Sequence, residues 1–269
     1  MISTNNYLEI WKTCVLSLEK FAFLRFQTIK VHLFTDQSTE AVDWSRKTLS
    51  RVRVQTHEIE SWGWPEVTLL RYKFFKSAMK SINQDLLMYL DSDMQFIRPI
   101  DIDAINNLTH DSVGLVLHPG YFRPPGFNKG KNFLISNTYR KLVIKKIVFG
   151  ERGLGAWETN RKSKAFIPAA LRKHYFHGAI WFGFHDSLFA MINQLEERTQ
   201  IDLDNGLIAK WHDESHLNWY AANSKRIICY TPELSGVIEY KHLNGISPYV
   251  VTQSKQNHVG RNPTLSLGN

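Results

Sequence analysis

The stretch Leu86–Met94 (Leu-Leu-Met-Tyr-Leu-Asp-Ser-Asp-Met) constrains the fold more than any other part of the sequence. Its first five residues form a continuous apolar run of strand length, which is typical of a strand buried on both faces. The run stops at Asp91 and Asp93, so both carboxylates are expected at the carboxyl edge of a sheet, where open α/β sheets bind ligands. Two hard oxygen ligands there suit Mn²⁺ or Mg²⁺ together with a substrate diphosphate.

The same spacing occurs twice more without a strand before it. Asp101 follows Pro99-Ile100, and it is predicted to cap a short helix over residues 102–108. Asp202-Leu-Asp204 is typical of a turn or of the start of a helix. An isolated Asp-x-Asp is therefore more often a cap or a turn than a metal site, and strand context is what distinguishes Asp91 and Asp93.

Hydrophobic periodicity predicts alternating strands and helices, and therefore an α/β sheet that is largely parallel over the first half. No repeat and no linker marks a boundary, so the 269 residues are predicted to form one domain. Residues 122–155 are richer in Gly, Pro and basic residues, and an excursion or lid is predicted there with a helix near 136–148. The predicted helices are 6–22, 66–82, one that Asp186 caps, and 214–222; the predicted strands are 30–35, 51–59, 86–90, 112–117, 175–184 and 226–230.

Composition limits the class of protein. With 43% apolar residues the chain is globular, and its formal net charge of +8 implies attraction to anions. The basic residues form no tract with interleaved aromatics, so nucleic acid is not expected as a partner. No apolar run has the length of a membrane span and the amino terminus does not resemble a signal peptide, so a cytoplasmic protein is expected. Cys14 and Cys229 lie among apolar residues and are predicted to be reduced core thiols.

A second chemical cluster is Trp211-His-Asp-Glu-Ser-His-Leu-Asn218. It is compatible with a plain capped helix in which Asp213 is the N-cap and Glu214 lies in the first turn. A zinc site on His212 and His216 is disfavoured, since the metalloprotease pattern requires Glu directly after the first His. A third interpretation makes Glu214 a carboxylate that faces a sugar, as glycosyl chemistry requires.

Six motifs occur in a fixed order along the chain: Phe34-Thr-Asp-Gln37, Asp91-Ser-Asp-Met94, His118-Pro-Gly120, Tyr175-Phe-His-Gly-Ala179, the string 211–218 and Arg261-Asn-Pro263. Their order resembles that of glycosyltransferase family 6, the family of the blood-group A and B transferases and the α-1,3-galactosyltransferases. The string 211–218 is highly specific. The chain closely resembles the catalytic domain of these enzymes from about Tyr7 to Pro263.

The resemblance implies a GT-A type nucleotide-sugar transferase fold, with a Rossmann-like mixed sheet flanked by helices. It divides the domain into a nucleotide-binding half at about 1–120, an acceptor and catalytic half at 121–251, and a mobile tail at 252–269. Cytoplasmic bacterial relatives have Asn in place of the metal-binding pair, whereas Asp91 and Asp93 are intact here. The resemblance therefore implies a metal-dependent member from a microbe or a virus of microbes, with a 122–155 region longer than in its relatives.

Matching positions imply the site residues. Glu214 is the catalytic carboxylate, Asp91 and Asp93 hold the metal, and His118 and Trp211 contact the acceptor. The tail cations Lys255 and Arg261 are expected to fold over the diphosphate. The donor-binding set comprises Tyr7, Phe34, Asp36, Arg71, Asp91, Ser92, Asp93, His177, Gly178, Ala179, Asp213, Lys255 and Arg261.

The expected activity is retaining transfer of a hexose from UDP-galactose or UDP-N-acetylgalactosamine to an oligosaccharide or glycolipid, in an α-1,3 type linkage. Mn²⁺ is the expected ion, with Mg²⁺ as the alternative. Glu214 would serve as the nucleophile of a double displacement or as the stabiliser of a same-face substitution. A carbohydrate-binding protein on a degenerate transferase fold is the alternative from another class. At Ala179 a methyl group is expected to favour galactose over the acetamido sugar.

Overall fold

The computed structural model describes residues 1–123, 153–237 and 246–253. The helix expected near 136–148 and the tail cations Lys255 and Arg261 lie outside the described residues. Six helices are α1 (Leu8–Phe21), α2 (Ser38–Thr48), α3 (Glu66–Leu69), α4 (Arg71–Ala78), α5 (His185–Asp204) and α6 (His212–Asn223) in this described part. Its strands are β1 (Ile29–Thr35), β2 (Val52–Glu58), β3 (Leu86–Leu90), β4 (Met94–Phe96), β5 (Val113–Leu117), β6 (Phe176–Phe184), β7 (Ile227–Tyr230) and β8 (Val250–Thr252).

The fold is mixed α/β, and this confirms the predicted class. Strands β1 and β2 pair in parallel, as the sequence predicts for the first half. The next sheet has the order β3-β6-β5-β7, with β6 antiparallel to both of its neighbours and β5 parallel to β7. The sheet is therefore mixed, because β6 enters from the second half of the chain and runs opposite to β3. Strands β4 and β8 form a separate antiparallel pair.

Helices cover both faces of the strands. Helix α1 contributes Trp11, Cys14 and Val15 to a buried cluster that also contains Leu33 and Leu90. On the other face, α4 and α5 pack over a second cluster, which includes Phe75, Tyr89 and Trp181. Because adjacent residues of β3 lie in different clusters, the strand is covered on both faces, as its continuous apolar run predicts.

The two other Asp-x-Asp sequences behave differently: the first is as predicted and the second is not. Asp101 caps a short 3₁₀ helix at Ile102–Ile105, with its carboxylate accepting the Ile102 amide at 2.7 Å. Asp202 and Asp204, expected in a turn or a helix start, instead end the long helix α5. That helix continues because Asp202 is buried and accepts hydrogen bonds from Ser163 and Lys164, which a solvated turn would not supply.

Two further predictions are corrected. Asp186 lies in the first turn of α5 and Phe184 is the residue at the N-cap position, so Asp186 does not cap this helix. Cys14 is buried as expected, whereas Cys229 is exposed on β7. Among the described residues, no helix has the length and apolar character needed to cross a membrane.

Candidate active site

Arg71 is the centre of a buried polar cluster that joins both halves of the chain. It begins α4 and its side chain is only 7% exposed. One guanidinium nitrogen donates to Asp213 at 2.6 Å and to the Gly178 carbonyl at 3.1 Å, and the other donates to Asp91 at 3.0 Å. Its guanidinium also lies 4.7 Å from the centre of the Tyr89 ring. A fork with several donors is needed to hold three acceptors in fixed positions, and Lys would not provide it.

Pairing between β3 and β6 brings the two predicted motifs together. Leu90 is the register partner of Ile180, and the next amide, that of Asp91, donates to the Ala179 carbonyl at 2.9 Å. Asp91 therefore lies at the end of β3, beside Gly178 and Ala179 of β6. Sequence alone places Asp91 at a strand end, and the antiparallel register decides which part of β6 it meets.

The Asp91 and Asp93 pair fits a divalent cation. On Asp91, Arg71 and the Tyr89 hydroxyl both donate to Oδ1, which leaves Oδ2 without a donor among the described residues. Asp93 is buried, and its backbone carbonyl accepts the Gln253 amide at 2.6 Å, which ties the start of the tail to this edge. Hard carboxylate oxygens at a strand end are the ligands that Mn²⁺ and Mg²⁺ prefer, so these two residues would hold the ion.

Glu214 lies in the first turn of α6, and both of its carboxylate oxygens are engaged. Oε1 accepts the Tyr175 hydroxyl at 2.8 Å, and Oε2 accepts the Gly178 amide at 2.8 Å. Burial raises the pKa of Glu214 to about 7; the hydrogen bonds from Gly178 and Tyr175 act to lower it, and the charges of Asp213 and Asp91 raise it. Burial therefore has a larger effect on the pKa of this carboxylate than the two hydrogen bonds that favour its ionised form.

Gly178 is required by the close approach of this carboxylate to β6. A Cβ atom at this position would lie 3.1 Å from the Glu214 Cβ and 3.3 Å from its Oε2. An alanine would therefore push α6 away from the strand and weaken the bond between the Gly178 amide and Glu214.

Asn218 fixes α6 against β6 one turn beyond Glu214. Its side-chain oxygen accepts the Phe176 amide at 2.8 Å and its nitrogen donates to the Phe176 carbonyl at 2.9 Å. The amide group thus pairs with Phe176 as a neighbouring strand would. Asn218 and Tyr175 lie within the sequence motifs and Tyr89 lies in the apolar run of β3, but nothing in the sequence indicates that they position a carboxylate or the strand.

His118 and His177 lie beside Glu214, and one potential ligand atom from each of the three residues falls within 4.8 Å of the others. Burial lowers the pKa of His118 to about 4, and burial with the nearby His118 lowers that of His177 to about 3, so both rings are neutral. The Gly120 amide donates to Nδ1 of His118 at 3.0 Å, which leaves the proton on Nε2. A neutral ring that donates from Nε2 suits a substrate hydroxyl better than a metal ion.

Asp213 is not the N-cap of α6, in contrast to the plain capped-helix interpretation of the sequence. Trp211 occupies the N-cap position, and Asp213 is buried against Arg71. Burial raises the pKa of Asp213 to about 6, although Arg71 counteracts this. The position of Asp213 in the sequence allows it either to cap the helix or to point into the core. The carboxylate points inward because it pairs with Arg71 of α4.

The disfavoured zinc site on His212 and His216 does not form. His216 is 1% exposed, with Nε2 3.5 Å from the Asp202 carboxylate, whereas the His212 ring packs against Trp64 and its Nδ1 lies 3.3 Å from the Thr68 hydroxyl. The two imidazoles therefore take part in different contacts, one with α5 and the other with α3 and the residues before it.

The other residues predicted to bind the donor differ in burial and in their contacts. Tyr7 is half-buried at the end of a 3₁₀ turn, and Asp36 holds this turn by accepting the Asn5 amide. Phe34 is 2% exposed between His57 and Phe75, so its side chain belongs to the core and not to a ligand site. Successive side chains of β1 point to opposite faces of the sheet, and Phe34 points to the face that α4 covers.

Three other predicted residues differ in exposure. Ser92 is buried and donates its hydroxyl to the Ile2 carbonyl, so it holds the amino-terminal segment. Ala179 is also buried, and its methyl group belongs to the core cluster under α1. Trp211 is 47% exposed, which is compatible with a sugar-contacting side chain.

The chain is similar in sequence to known glycosyltransferases. The model of glycosyltransferase family 6 matches residues 148–256, the part that contains Gly178 and Glu214. The O-antigen biosynthesis glycosyltransferase WbnI of Escherichia coli is 25% identical over 228 residues, which cover 84% of this chain and 82% of that protein. The human globoside alpha-1,3-N-acetylgalactosaminyltransferase 1 is 22% identical over 241 residues, 87% of this chain and 58% of that protein. A rat histo-blood group ABO system transferase 1 is 25% identical over 173 residues, 63% and 41% respectively.

A mixed α/β fold with carboxylates at the end of a buried strand is consistent with the GT-A type of glycosyltransferase fold. The comparisons confirm the family resemblance that the motifs indicate: the chain is similar to the family 6 glycosyltransferases over residues 148–256, and to the bacterial and human relatives over most of its length. It spans somewhat more than half of the human relative, and most of the bacterial one.

Proposed function

We propose that the protein is a retaining, metal-dependent glycosyltransferase that moves galactose or N-acetylgalactosamine from a UDP-sugar to a glycan acceptor in an α-1,3 type linkage. The observation that supports this most is the convergence on Arg71 of Asp91, Gly178 and Asp213. Through this cluster the proposed metal edge and the proposed catalytic carboxylate become parts of one site. The division into a donor half at about 1–120, an acceptor half at 121–251 and a tail from 252 is part of the same proposal.

Glu214 would act at the anomeric carbon. Its two oxygens are held by Tyr175 and Gly178, so the carboxylate is oriented before the substrate arrives. Ionised Glu214 would stabilise the positive charge that develops on the sugar ring, either directly as a nucleophile or by electrostatic attraction. A bound Mn²⁺ would supply charge neutralisation for the departing diphosphate.

The acceptor would approach from the side of His118. The ring donates from Nε2, and an acceptor hydroxyl could receive that hydrogen bond. His118 lies 4.7 Å from His177 and 4.9 Å from Tyr121 between ring centres, so it is confined by aromatic neighbours. Exposed Trp211 would offer an apolar face to a sugar.

The direct test measures sugar transfer and UDP release from both UDP-sugars, with and without Mn²⁺, in the presence of a panel of oligosaccharide and glycolipid acceptors. Transfer product with the α anomeric configuration is expected only when metal is present. A protein that binds glycans without producing UDP would support the binding-protein alternative instead.

Donor choice is the first specific prediction. We expect UDP-galactose to give the higher kcat/KM, and Ala179→Gly to move the ratio toward the acetamido sugar. Removing one methyl group changes such ratios by about 10-fold or somewhat more. A wild-type preference for the acetamido sugar would refute the assignment. Because the methyl group is buried in the core cluster, an unchanged ratio in Ala179→Gly would show that it does not contact the donor.

The second prediction concerns pH. Because Glu214 must be ionised to act and burial raises its pKa to about 7, kcat/KM should rise with pH through this region. Tyr175→Phe removes a hydrogen bond that stabilises the carboxylate, so the acid limb should move to higher pH while activity recovers in alkaline buffer. In the control Tyr230→Phe, the lost hydroxyl donates to the Ile105 carbonyl at 3.3 Å and to no other group among the described residues, so the limb should not move. An unshifted limb in Tyr175→Phe would contradict the role of Tyr175.

A further inference from the structure

Two neighbouring segments, residues 158–173 and 205–211, form a positively charged surface that the proposed reaction does not use, and we call it the basic face. They contain six basic residues and one acidic residue, Glu158. The exposed cations are Arg161, Lys162, Lys164, Lys173 and Lys210. Glu158 is buried, so the surface that these segments present to solvent carries positive charge alone.

Two buried carboxylates hold the segments side by side. Glu158, in the first segment, accepts the Lys210 amide of the second at 2.7 Å. Asp202, near the end of α5, accepts the Lys164 amide at 2.7 Å through its side chain and the Leu207 amide at 2.8 Å through its backbone carbonyl. Each acid therefore links the two segments, and the cations of both belong to one surface.

The first segment is packed against α5 and α6 and is not a loose basic loop. It is anchored by a buried cluster that comprises Trp157, Ile167 and Tyr175. Arg198 of α5 donates to the Lys164 carbonyl at 3.0 Å, and its guanidinium lies 3.2 Å from the centre of the Trp219 ring on α6. The backbone that carries the cations is therefore fixed, and only their side chains need to adjust to a partner.

Exposed aliphatic side chains lie among these cations. Leu171 is 38% exposed two residues before Lys173, and Ile208 is 58% exposed two residues before Lys210. In proteins that bind anionic bilayers, cations attract the headgroups while apolar side chains enter the boundary with the acyl chains. Nucleic acid is matched less well, because aliphatic side chains cannot stack on bases as aromatic ones do.

Exposed acids lie nearby on α5, at Glu197 and Asp204. Asp204 accepts the Gln200 side chain at 2.7 Å, and the exposed cations of the basic face outnumber these two acids. The basic face therefore keeps an excess of positive charge. A surface of this sign is attracted to a membrane with anionic headgroups over about one Debye length.

We propose that the basic face docks on an anionic lipid bilayer, with Leu171 and Ile208 entering the boundary between the headgroups and the acyl chains. The second segment ends at Trp211, the proposed acceptor contact, so docking would bring that side chain close to the bilayer. A glycolipid acceptor would then reach the site from the membrane to which the enzyme is bound. This last step rests on the proposed function, whereas the docking itself does not.

The test measures co-sedimentation of the protein with vesicles of phosphatidylcholine, alone or mixed with phosphatidylglycerol. We expect binding only to the mixed vesicles, and release as the salt concentration is raised, because the attraction is electrostatic. The triple variant Lys162→Gln, Lys173→Gln, Lys210→Gln should bind about 100-fold more weakly, since each cation near an anionic surface contributes about 5-fold. Leu171→Ser combined with Ile208→Ser should weaken binding about 10-fold, because less apolar surface enters the bilayer.

The matched control is the triple variant Lys20→Gln, Lys47→Gln, Lys80→Gln, which removes the same charge from exposed positions in the first half of the chain. It should bind as the wild type does. An equal loss in both triple variants would overturn the proposal, because net charge and not the basic face would then control binding. Equal binding to both kinds of vesicle, no binding to either, or tighter binding to a short DNA duplex than to the mixed vesicles would overturn it as well.

Vesicle binding needs neither donor nor acceptor, so it is measured independently of the proposed reaction. Glu214→Gln should bind vesicles as the wild type does. Docking without transfer activity in the wild type would contradict the proposed function alone, and transfer without docking would contradict the proposal for the basic face alone. Both triple variants should keep the unfolding midpoint of the wild type, because the replaced side chains are exposed.

Discussion

Replacement of Glu214 by Gln is expected to lower kcat by about 10²–10⁴-fold while UDP binding is retained. Gln fits the same space: its carbonyl can accept the Gly178 amide, and its NH₂ group can donate to the Tyr175 oxygen in place of accepting from it. The change therefore removes charge with little disturbance of packing. Steady-state kinetics and calorimetric titration with UDP measure the two effects separately.

The matched control is Glu196→Gln on α5. Glu196 pairs with Lys76 at 2.7 Å on the surface, and such pairs contribute little to stability. Its kcat should equal that of the wild type. If Glu214→Gln retains nearly full kcat with normal UDP binding, another group carries the reaction.

The second large effect is expected when Asp91 or Asp93, the two proposed metal ligands, is replaced. Asp93→Asn and Asp91→Asn should each reduce Mn²⁺-supported transfer by at least about 100-fold, because an amide is a weaker ligand than a carboxylate for a hard cation. Mn²⁺ binding, followed by electron paramagnetic resonance in the presence of UDP, should weaken in parallel. Asp91→Asn should also lower the unfolding midpoint, since it removes one of the two charges that face buried Arg71.

The sequence supplies the control for this experiment. Asp103 belongs to an Asp-x-Asp of the same spacing, but it is exposed and pairs with Arg25 at 3.0 Å. Asp103→Asn should leave both Mn²⁺ binding and turnover unchanged. Full activity of Asp93→Asn in the presence of chelator would exclude Asp91 and Asp93 as ligands of a metal ion that the reaction requires.

Some parts of the fold were open to prediction because their cause is local. The continuous apolar run of β3 is a buried strand, and Asp101 caps its short helix as its neighbours imply. The family resemblance was equally accessible, since it depends on motif order alone. Sequence positions do not reveal strand direction, however, and β6 is antiparallel to β3 because of how the second half of the chain returns to the sheet.

Asp213 and Glu214 show which properties the sequence determines and which depend on the tertiary structure. Sequence by itself determined that Asp213 and Glu214 begin a helix, and that a carboxylate there could serve glycosyl chemistry. Only the packed structure turns Asp213 onto Arg71 and sets Glu214 against the Gly178 amide, because those partners come from 142 and 36 residues away. Burial then raises the pKa of Glu214, and this effect depends on what surrounds the carboxylate in the fold and not on its neighbours in the chain.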